Sequence, residues 1–210
     1  QRSQFVVPSK LIASASYRIP YAKNHMATSI NLFYSGFSPY GNSFTYTNDM
    51  NGDGMASDLI YIPKEKGEIN FISSADENAF FAFVEQDKYL SNNKGKYAEA
   101  YAARAPWAHR FDLRFTQDFS VNISGNKNTI QLTLDFINFG NLINNKWGVF
   151  KNMSSSNNGQ ILTYEGMDAD RTPSFSMVKD ADDNFLKETY STYYNYSQAW
   201  LLQIGARYIF

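Results

Sequence analysis

The sequence predicts an all-β fold, and within that class a segment of a transmembrane antiparallel β-barrel. Phe, Tyr and Trp make up 17% of the 210 residues, whereas only 19% of the residues are charged. Five segments alternate apolar and polar residues over 7–11 positions, which exceeds a typical globular strand of about 5–6 residues and approaches the length of a membrane strand. The connections between these segments are either short or very long, as in outer-membrane barrels.

Charge, cysteine content and motifs argue against several classes of function. Lys and Arg number 19 against 20 Asp and Glu, so the chain lacks the basic excess of a nucleic-acid-binding protein. Without cysteine there is no disulfide, no thiolate zinc site and no thiol nucleophile. His25 and His109 do not form a metal-binding spacing, and neither a G-x-S-x-G motif nor a phosphate-binding glycine loop occurs. We therefore predict that the chain is not an enzyme and binds no nucleic acid.

Each of the five strands is predicted from apolar side chains of one parity that alternate with polar side chains of the other parity. Short turns at 20–24 and 124–128 follow the first and third strands. Aromatic residues lie toward the strand ends, which is typical of girdles at the two membrane interfaces. The predicted strands cover 11–19, 28–34, 111–119, 130–136 and 200–210.

Two long loops, 36–104 and 140–197, alternate with the two short turns. If the last strand ends in the periplasm, both turns are periplasmic and both loops are extracellular. Five strands cannot close a single-chain barrel, which has at least about 8 strands. The chain also begins with neither an initiator methionine nor a signal peptide. We therefore expect residues 1–210 to be the C-terminal segment of a larger barrel.

Several stretches, in this order, carry a resemblance to a known family. They are Asp-Met-Asn-Gly-Asp-Gly-Met-Ala-Ser-Asp-Leu-Ile-Tyr-Ile-Pro at 49–63, Ala-Pro-Trp at 105–107 with Arg-Phe-Asp-Leu at 110–113, the run 128–142, and the ending 203–210. Together they resemble TonB-dependent outer-membrane receptors of the Oar-like group, which are common in Bacteroidota.

The resemblance implies a 22-stranded barrel, of which this chain would supply about the last five strands, filled by an N-terminal plug in a bacterial outer membrane. It implies energised uptake of a scarce solute, driven by TonB through the missing N-terminal part. The partners that follow are outer-membrane lipid, the remainder of the barrel with its plug, and the barrel-assembly machinery. Tyr208 and Phe210 would belong to the assembly signal that this machinery reads.

A candidate calcium site lies in the first long loop. Asp49, Asn51 and Asp53, followed by glycine, match positions 1, 3, 5 and 6 of a calcium-binding loop. Position 12 is Ile60 instead of the expected Glu, and Asp58 could complete the ligand set only with a different loop path. The alternative is an Asx-rich turn that is capped by its own backbone.

The same loop contains a predicted helix. Ser74 and Glu77 have the spacing of a capping box, which predicts a helix over about 75–90. Phe80 and Phe83 fall on one apolar stripe of that helix. This stripe either packs the loop against its neighbours or forms a lid or docking surface for a ligand or a surface lipoprotein.

Two further groups are candidates for contact with a ligand. Tyr193 and Tyr194 precede the last strand, where they form an interfacial girdle or stack against a saccharide or peptide. Polar residues of the strands would face the lumen, where they pair with one another, with the plug or with a ligand. This set comprises Arg18, Asn31, Asp112, Arg114, Asp118, Gln131, Asp135 and Arg207.

A second interpretation of the whole chain stays open at this stage. Alternating strands also form soluble antiparallel sheets with one wet face. In that case the chain would be a soluble β-sandwich, such as a glycan-binding module that uses its tyrosines and is assisted by calcium.

Overall fold

The computed structural model describes residues 6–7, 9–38, 40–154, 159–192 and 194–210. Strands account for 48% and helices for 13% of the structure, so the predicted all-β class is confirmed. The chain divides into two compact units. Unit 1 comprises Gln1–Pro8, Pro39–Pro106 and Lys151–Thr192, and unit 2 comprises Ser9–Ser38, Trp107–Phe150 and Tyr193–Phe210. Among the described residues, no helix is both long and apolar enough to cross a membrane.

Unit 2 is built on long strands, whereas the strands of unit 1 are mostly short. The elements of unit 2 are β1 (Lys10–Tyr21), β2 (Met26–Phe37), β9 (Ala108–Ile123), β10 (Asn126–Ile137), α3 (Phe139–Ile143), a 3₁₀ turn (Tyr196–Gln198) and β15 (Leu201–Ile209). The elements of unit 1 are β3 (Gly41–Asn42), β4 (Thr45–Tyr46), β5 (Tyr61–Ile62), β6 (Asn70–Phe71), α1 (Ser74–Gln86), α2 (Lys88–Asn92), β7 (Lys96–Tyr97), β8 (Ala103–Arg104), β11 (Lys151–Met153), β12 (Gln160–Met167), β13 (Pro173–Met177) and β14 (Tyr190–Thr192).

The long strands of unit 2 form one antiparallel sheet in the order β1-β2-β9-β10-β15. These are the five strands predicted from alternation. The pairing registers run without a bulge, with Tyr17 opposite Ile30, Ile30 opposite Phe115 and Phe115 opposite Leu134. Because each strand keeps its register, residues of matching parity line one face of the whole sheet.

The two short turns of unit 2 are tighter than predicted. Tyr21 still belongs to β1, and 22–25 form the first turn, in which Ala22, Lys23 and Asn24 have φ angles of 52°, 51° and 67°. The second turn contains only 124–125, with φ angles of 53° and 86°. A serine and a glycine with positive φ fit a two-residue type I′ hairpin turn, so 126–128 join the ladder instead of the predicted longer turn.

Unit 1 has a closed hydrophobic core. A four-stranded sheet of order β4-β12-β13-β6 contributes to it together with α1. Phe44, Ile60, Phe80 and Leu162 are each 0% exposed in this core. Burying such side chains is worth about 1.5–3 kcal/mol each, so unit 1 has its own source of stability.

The predicted helix of unit 1 begins and ends at different residues from those expected. Ser73, not Ser74, is the N-cap of α1, and its hydroxyl accepts a hydrogen bond from the Asp76 N–H at 3.1 Å. The chain then leaves the helix at Asp87, whose carboxylate caps α2 by accepting from the Tyr89 and Leu90 N–H groups. An Asp at a position where its side chain can satisfy free backbone donors starts a new helix.

Candidate functional site

The sheet of unit 2 has one apolar face, and the strand register shows that this face extends across all five strands. One cross-strand row consists of Tyr17, Ile30, Phe115, Leu134 and Ile204. Most of the large apolar residues of this face are exposed, with an exposed fraction of 75% at Ile204, whereas Phe115 and Leu134 are half-buried. Each of the five strands thus has exposed apolar side chains on this face.

The opposite face carries the polar residues that sequence alternation predicts to line a lumen. Asp118 lies at its centre and is only 6% exposed. Its carboxylate accepts from the Arg18 guanidinium at 3.0 Å and from the Gln131 amide at 2.7 Å. The Gln131 amide oxygen in turn accepts from Arg207 at 2.7 Å. A single network therefore crosses β1, β9, β10 and β15.

Two further interactions complete the polar face. Arg114 donates two hydrogen bonds to the carboxylate of Asp135, at 2.5 and 2.8 Å. The Asp112 carboxylate accepts from the Arg110 guanidinium at 3.0 Å and from the Asn138 N–H at 2.7 Å. The forked pair of Arg114 and Asp135 fixes the orientation of both side chains, and the charges of the face are nearly balanced.

The predicted polar set does come together on this face. Asn31 joins it by accepting a hydrogen bond from Ser16 at 2.6 Å. All of the set except Arg207 lines a concave recess of about 790 Å³. The recess offers donors and acceptors of both signs, so it can bind a polar peptide segment or a polar solute.

Sequence analysis missed a polar cluster on the apolar face. The Gln117 amide oxygen accepts from the Thr28 hydroxyl at 2.6 Å and from the Tyr21 hydroxyl at 3.0 Å. Gln117 occupies a position of β9 where the alternation calls for an apolar residue. This break in the alternation is the sequence signal that could have revealed the cluster. Gln117 lies opposite Thr28 of the neighbouring strand β2, so its amide oxygen finds a donor in the sheet itself.

Of the aromatic candidates outside unit 1, Tyr194, Tyr208 and Phe210 are exposed. Tyr208 and Phe210 are 56% and 91% exposed, and their rings stack at 5.6 Å between centroids. The Tyr208 hydroxyl also donates to the side-chain oxygen of Asn128. Tyr194 is 58% exposed, whereas Tyr193 lies outside the described residues.

Phe80 and Phe83 are buried in unit 1, with exposed fractions of 0% and 2%. Phe80 contacts Phe71 and Phe81 through ring centroids 5.4 and 5.9 Å away. These positions match the packing interpretation of the helix stripe. In this conformation the two rings offer no surface to a ligand or a lipoprotein.

The four candidate calcium ligands do converge, and backbone donors surround them. Asp49 accepts from the N–H groups of 52, 53 and 54 at 2.6, 3.2 and 2.7 Å. Asn51 accepts from the Asp53 N–H at 2.8 Å, and Asp58 accepts from the Asn51 N–H at 3.2 Å. The Asn51–Asp53 bond and the bond of 2.9 Å from the Met55 N–H to Asp53 form two consecutive Asx turns.

The fit of calcium to this loop is poor in the arrangement observed. The Asn51 amide nitrogen lies 3.3 Å from Asp53 Oδ2 and 2.7 Å from Asp58 Oδ1, so a hydrogen-bond donor occupies the place between two carboxylates. Ile60, at the position of the bidentate ligand, is 0% exposed. Among the described residues, no group of three or more His, Cys, Asp and Glu is arranged to hold a metal ion. Calcium binding stays a prediction.

The electrostatics of the loop follow from the same contacts. The Gly54 N–H, with those of Gly52 and Asp53, holds the pKa of the Asp49 carboxyl below its usual range. The ionised form is therefore the one that the backbone donors stabilise. Backbone donors therefore stabilise the Asp49 carboxylate without a cation.

Comparison with models of protein families, with curated proteins and with solved structures finds no match to this chain. The resemblance seen in the sequence therefore stays a prediction.

The network around Asp118 yields a first prediction. Replacing Asp118 by Ala leaves Arg18 and Gln131 without their acceptor, and we expect the free energy of unfolding to fall by about 1–3 kcal/mol. Asp170→Ala is a matched control in an exposed turn. Denaturant unfolding of the two variants and of the unmodified chain, all in one solvent, measures the free energy of unfolding. Equal values for Asp118→Ala and Asp170→Ala would show that the network does not stabilise the sheet.

The Asp49 loop yields a second prediction. Because the pKa of Asp49 is lowered, the stabilisation by its carboxylate is fully present above the pKa of an unfolded Asp, about 3.9, and is lost as the pH falls through the lower folded value. An NMR titration should show the Gly54 N–H responding with a midpoint below that of an unfolded Asp. Asp49→Asn should abolish this response.

Calcium can be tested on the same sample. If the loop binds calcium, adding the ion raises the melting temperature, and Asp49→Asn with Asp53→Asn removes that increase. A melting temperature that is unchanged by calcium in the unmodified chain contradicts the calcium prediction.

Proposed function

We propose that the chain is the C-terminal segment of a TonB-dependent outer-membrane transporter and that unit 2 supplies part of the barrel wall. The observation that carries this proposal is the exposed apolar face that extends over five antiparallel strands. Tyr17, Ile130 and Ile204 have exposed fractions of 69%, 53% and 75% on this face. A continuous apolar surface of this extent is costly in water and favourable in lipid.

Strand length supports the same environment. β1, β2 and β10 have 12 residues each. At about 3.3 Å per residue such a strand is about 40 Å long, and a tilt of about 45° reduces its span to about 28 Å. This matches a hydrocarbon core of about 30 Å.

The aromatic residues support two interfaces. Next to the short turns, Tyr21, Phe119 and Tyr208 fall in one cross-strand row. Toward the other end of the strands, Tyr34 and Phe111 are paired and their rings lie 4.9 Å apart. Aromatic rings with polar tips are favoured at both boundaries of a membrane, and here they border the aliphatic rows.

The connections follow the topology of such barrels. Both short turns lie at one end of the sheet, and both long connections leave from the other end, where Phe37 pairs with Ala108 and Ile137 pairs with Leu201. Short periplasmic turns and long extracellular loops have this asymmetry. On this proposal, unit 1 consists of material from the extracellular loops.

The unpaired edges of the sheet indicate which partners the chain needs. β1 and β15 are its edge strands, and each has one edge without a partner strand among the described residues. In lipid every backbone donor and acceptor needs a partner, so these edges require further strands from the remainder of the barrel. The polar face would then contact the plug, TonB would act through the N-terminal part, and the assembly machinery would read Tyr208 and Phe210.

Neighbouring residues of β15 provide the test. In a bilayer, Ile204→Arg puts a charge against lipid and should cost about 2–4 kcal/mol, whereas Gln203→Arg on the opposite face should cost much less. Urea unfolding of the chain in lipid vesicles, or of the larger barrel containing it, measures both variants.

Two outcomes contradict the proposal. One is an equal effect of the two arginine substitutions. The other is a 210-residue chain that is monomeric and cooperatively folded in plain buffer, a result that would favour the soluble glycan-binding alternative.

A further inference from the structure

Unit 1 contains an open recess of about 980 Å³, and the proposed function gives no role to the residues that line it. Four basic side chains from separate parts of the unit line it: Lys88 from α2, Arg104 from β8, Lys151 from β11, and Lys187. None of the four forms an ion pair with a described residue. Cations gathered around one recess without acidic partners raise the local concentration of anions.

Two carboxylates also line the recess, and they offset only part of the positive charge. Asp87 is 6% exposed, and its oxygens accept from the Tyr89 and Leu90 N–H groups and from the Thr189 hydroxyl. Glu188 is exposed. Four positive charges against two negative charges leave a net charge of +2 among the side chains of the recess.

Arg104 is the most specific feature of this recess. Its Nη1 atom is buried, and no described residue accepts a hydrogen bond from it. Gly41 makes room for the guanidinium, since a Cβ at this position would lie 3.1 Å from Nη1 and 2.5 Å from the Tyr101 carbonyl oxygen. A buried charged donor without an acceptor is unfavourable. Because Arg104 also lines the recess, an anionic ligand there could accept hydrogen bonds from the accessible part of the guanidinium.

Neutral groups around the recess are compatible with an anion that also carries hydroxyls. Burial raises the pKa of Tyr190 to about 12, so its hydroxyl stays protonated and adds no negative charge near neutral pH. Asn92 and Asn93 donate through their amide nitrogens to the carbonyls of Lys88 and Tyr89, both at 2.8 Å. Their amide oxygens can therefore accept hydrogen bonds from a ligand.

We propose that this recess is a binding site for a small solute whose negative charge is carried by carboxylate or phosphate oxygens, with Arg104 as the anchoring donor. The planar guanidinium matches either group through two parallel hydrogen bonds, and the lysines supply additional charge. The volume suits a ligand of oligosaccharide size. The proposal goes beyond the membrane assignment, because it concerns unit 1 and does not depend on the environment of unit 2.

Isothermal titration of the 210-residue chain, folded in an uncharged detergent, tests the proposal with two matched pairs of probes. Trigalacturonate is compared with its neutral methyl ester, and glucose 6-phosphate is compared with glucose. We expect at least one acidic probe to bind about tenfold or more tightly than its neutral partner, and this preference should weaken with added salt. The pair that shows the larger preference identifies carboxylate or phosphate as the source.

Variants of the recess locate the site. Arg104→Gln should weaken binding of the preferred acid about tenfold or more, and Lys151→Gln should weaken it several-fold. Lys96→Gln removes the same charge from β7, outside the recess, and should bind like the unmodified chain. If Arg104→Gln does not fold, Lys151→Gln and Lys187→Gln decide the question.

Three results overturn the proposal. They are the absence of binding by both acids, equal binding of acidic and neutral probes, and unchanged affinity in the recess variants. Failure of this test leaves the Ile204 and Gln203 comparison unaffected, so the two proposals can be judged separately.

Discussion

Backbone pairing between β2 and β9 is the interaction on which the rest of unit 2 depends. It joins two local hairpins that are far apart in the chain, and it runs without a bulge from Met26 opposite Phe119 to Phe37 opposite Ala108. A shift of one residue would move Arg114 to the apolar face and Phe115 to the polar face, because side chains alternate with period two. The charge network and the continuous apolar face both follow from this single register.

The two units use aromatic and aliphatic residues in opposite ways. In unit 1, side chains such as Phe44 and Phe80 are fully buried, and they stabilise a conventional core. In unit 2, side chains such as Tyr17 and Ile204 are exposed on a sheet one layer thick. The aromatic content of the chain is therefore the sum of two different physical roles. One role is burial against protein, and on the proposed function the other is contact with lipid.

The long strands of unit 2 were predictable because period-two alternation is a local signal that repeats over many residues. The polar set around Asp118 followed from the same signal. The two-residue strands of unit 1 have no period to detect, and the break at Asp87 reflects a side chain that caps a second helix. The Arg104 recess draws its residues from α2, β8, β11 and the segment before β14, and only tertiary contacts bring these together.

The short turns of unit 2 differ in their intrinsic cost, which has a consequence for the order of folding. In the β9–β10 turn Gly125 adopts positive φ freely and only Ser124 does so at a cost, so this hairpin can form from a local signal. Ala22 and Lys23 adopt it at a cost of about 1–2 kcal/mol each, which cross-strand pairs must offset first. The N-terminal hairpin should therefore close after the later one, in the reverse of their order along the chain. Pulse-labelled hydrogen exchange would then find protection in β10 before β1.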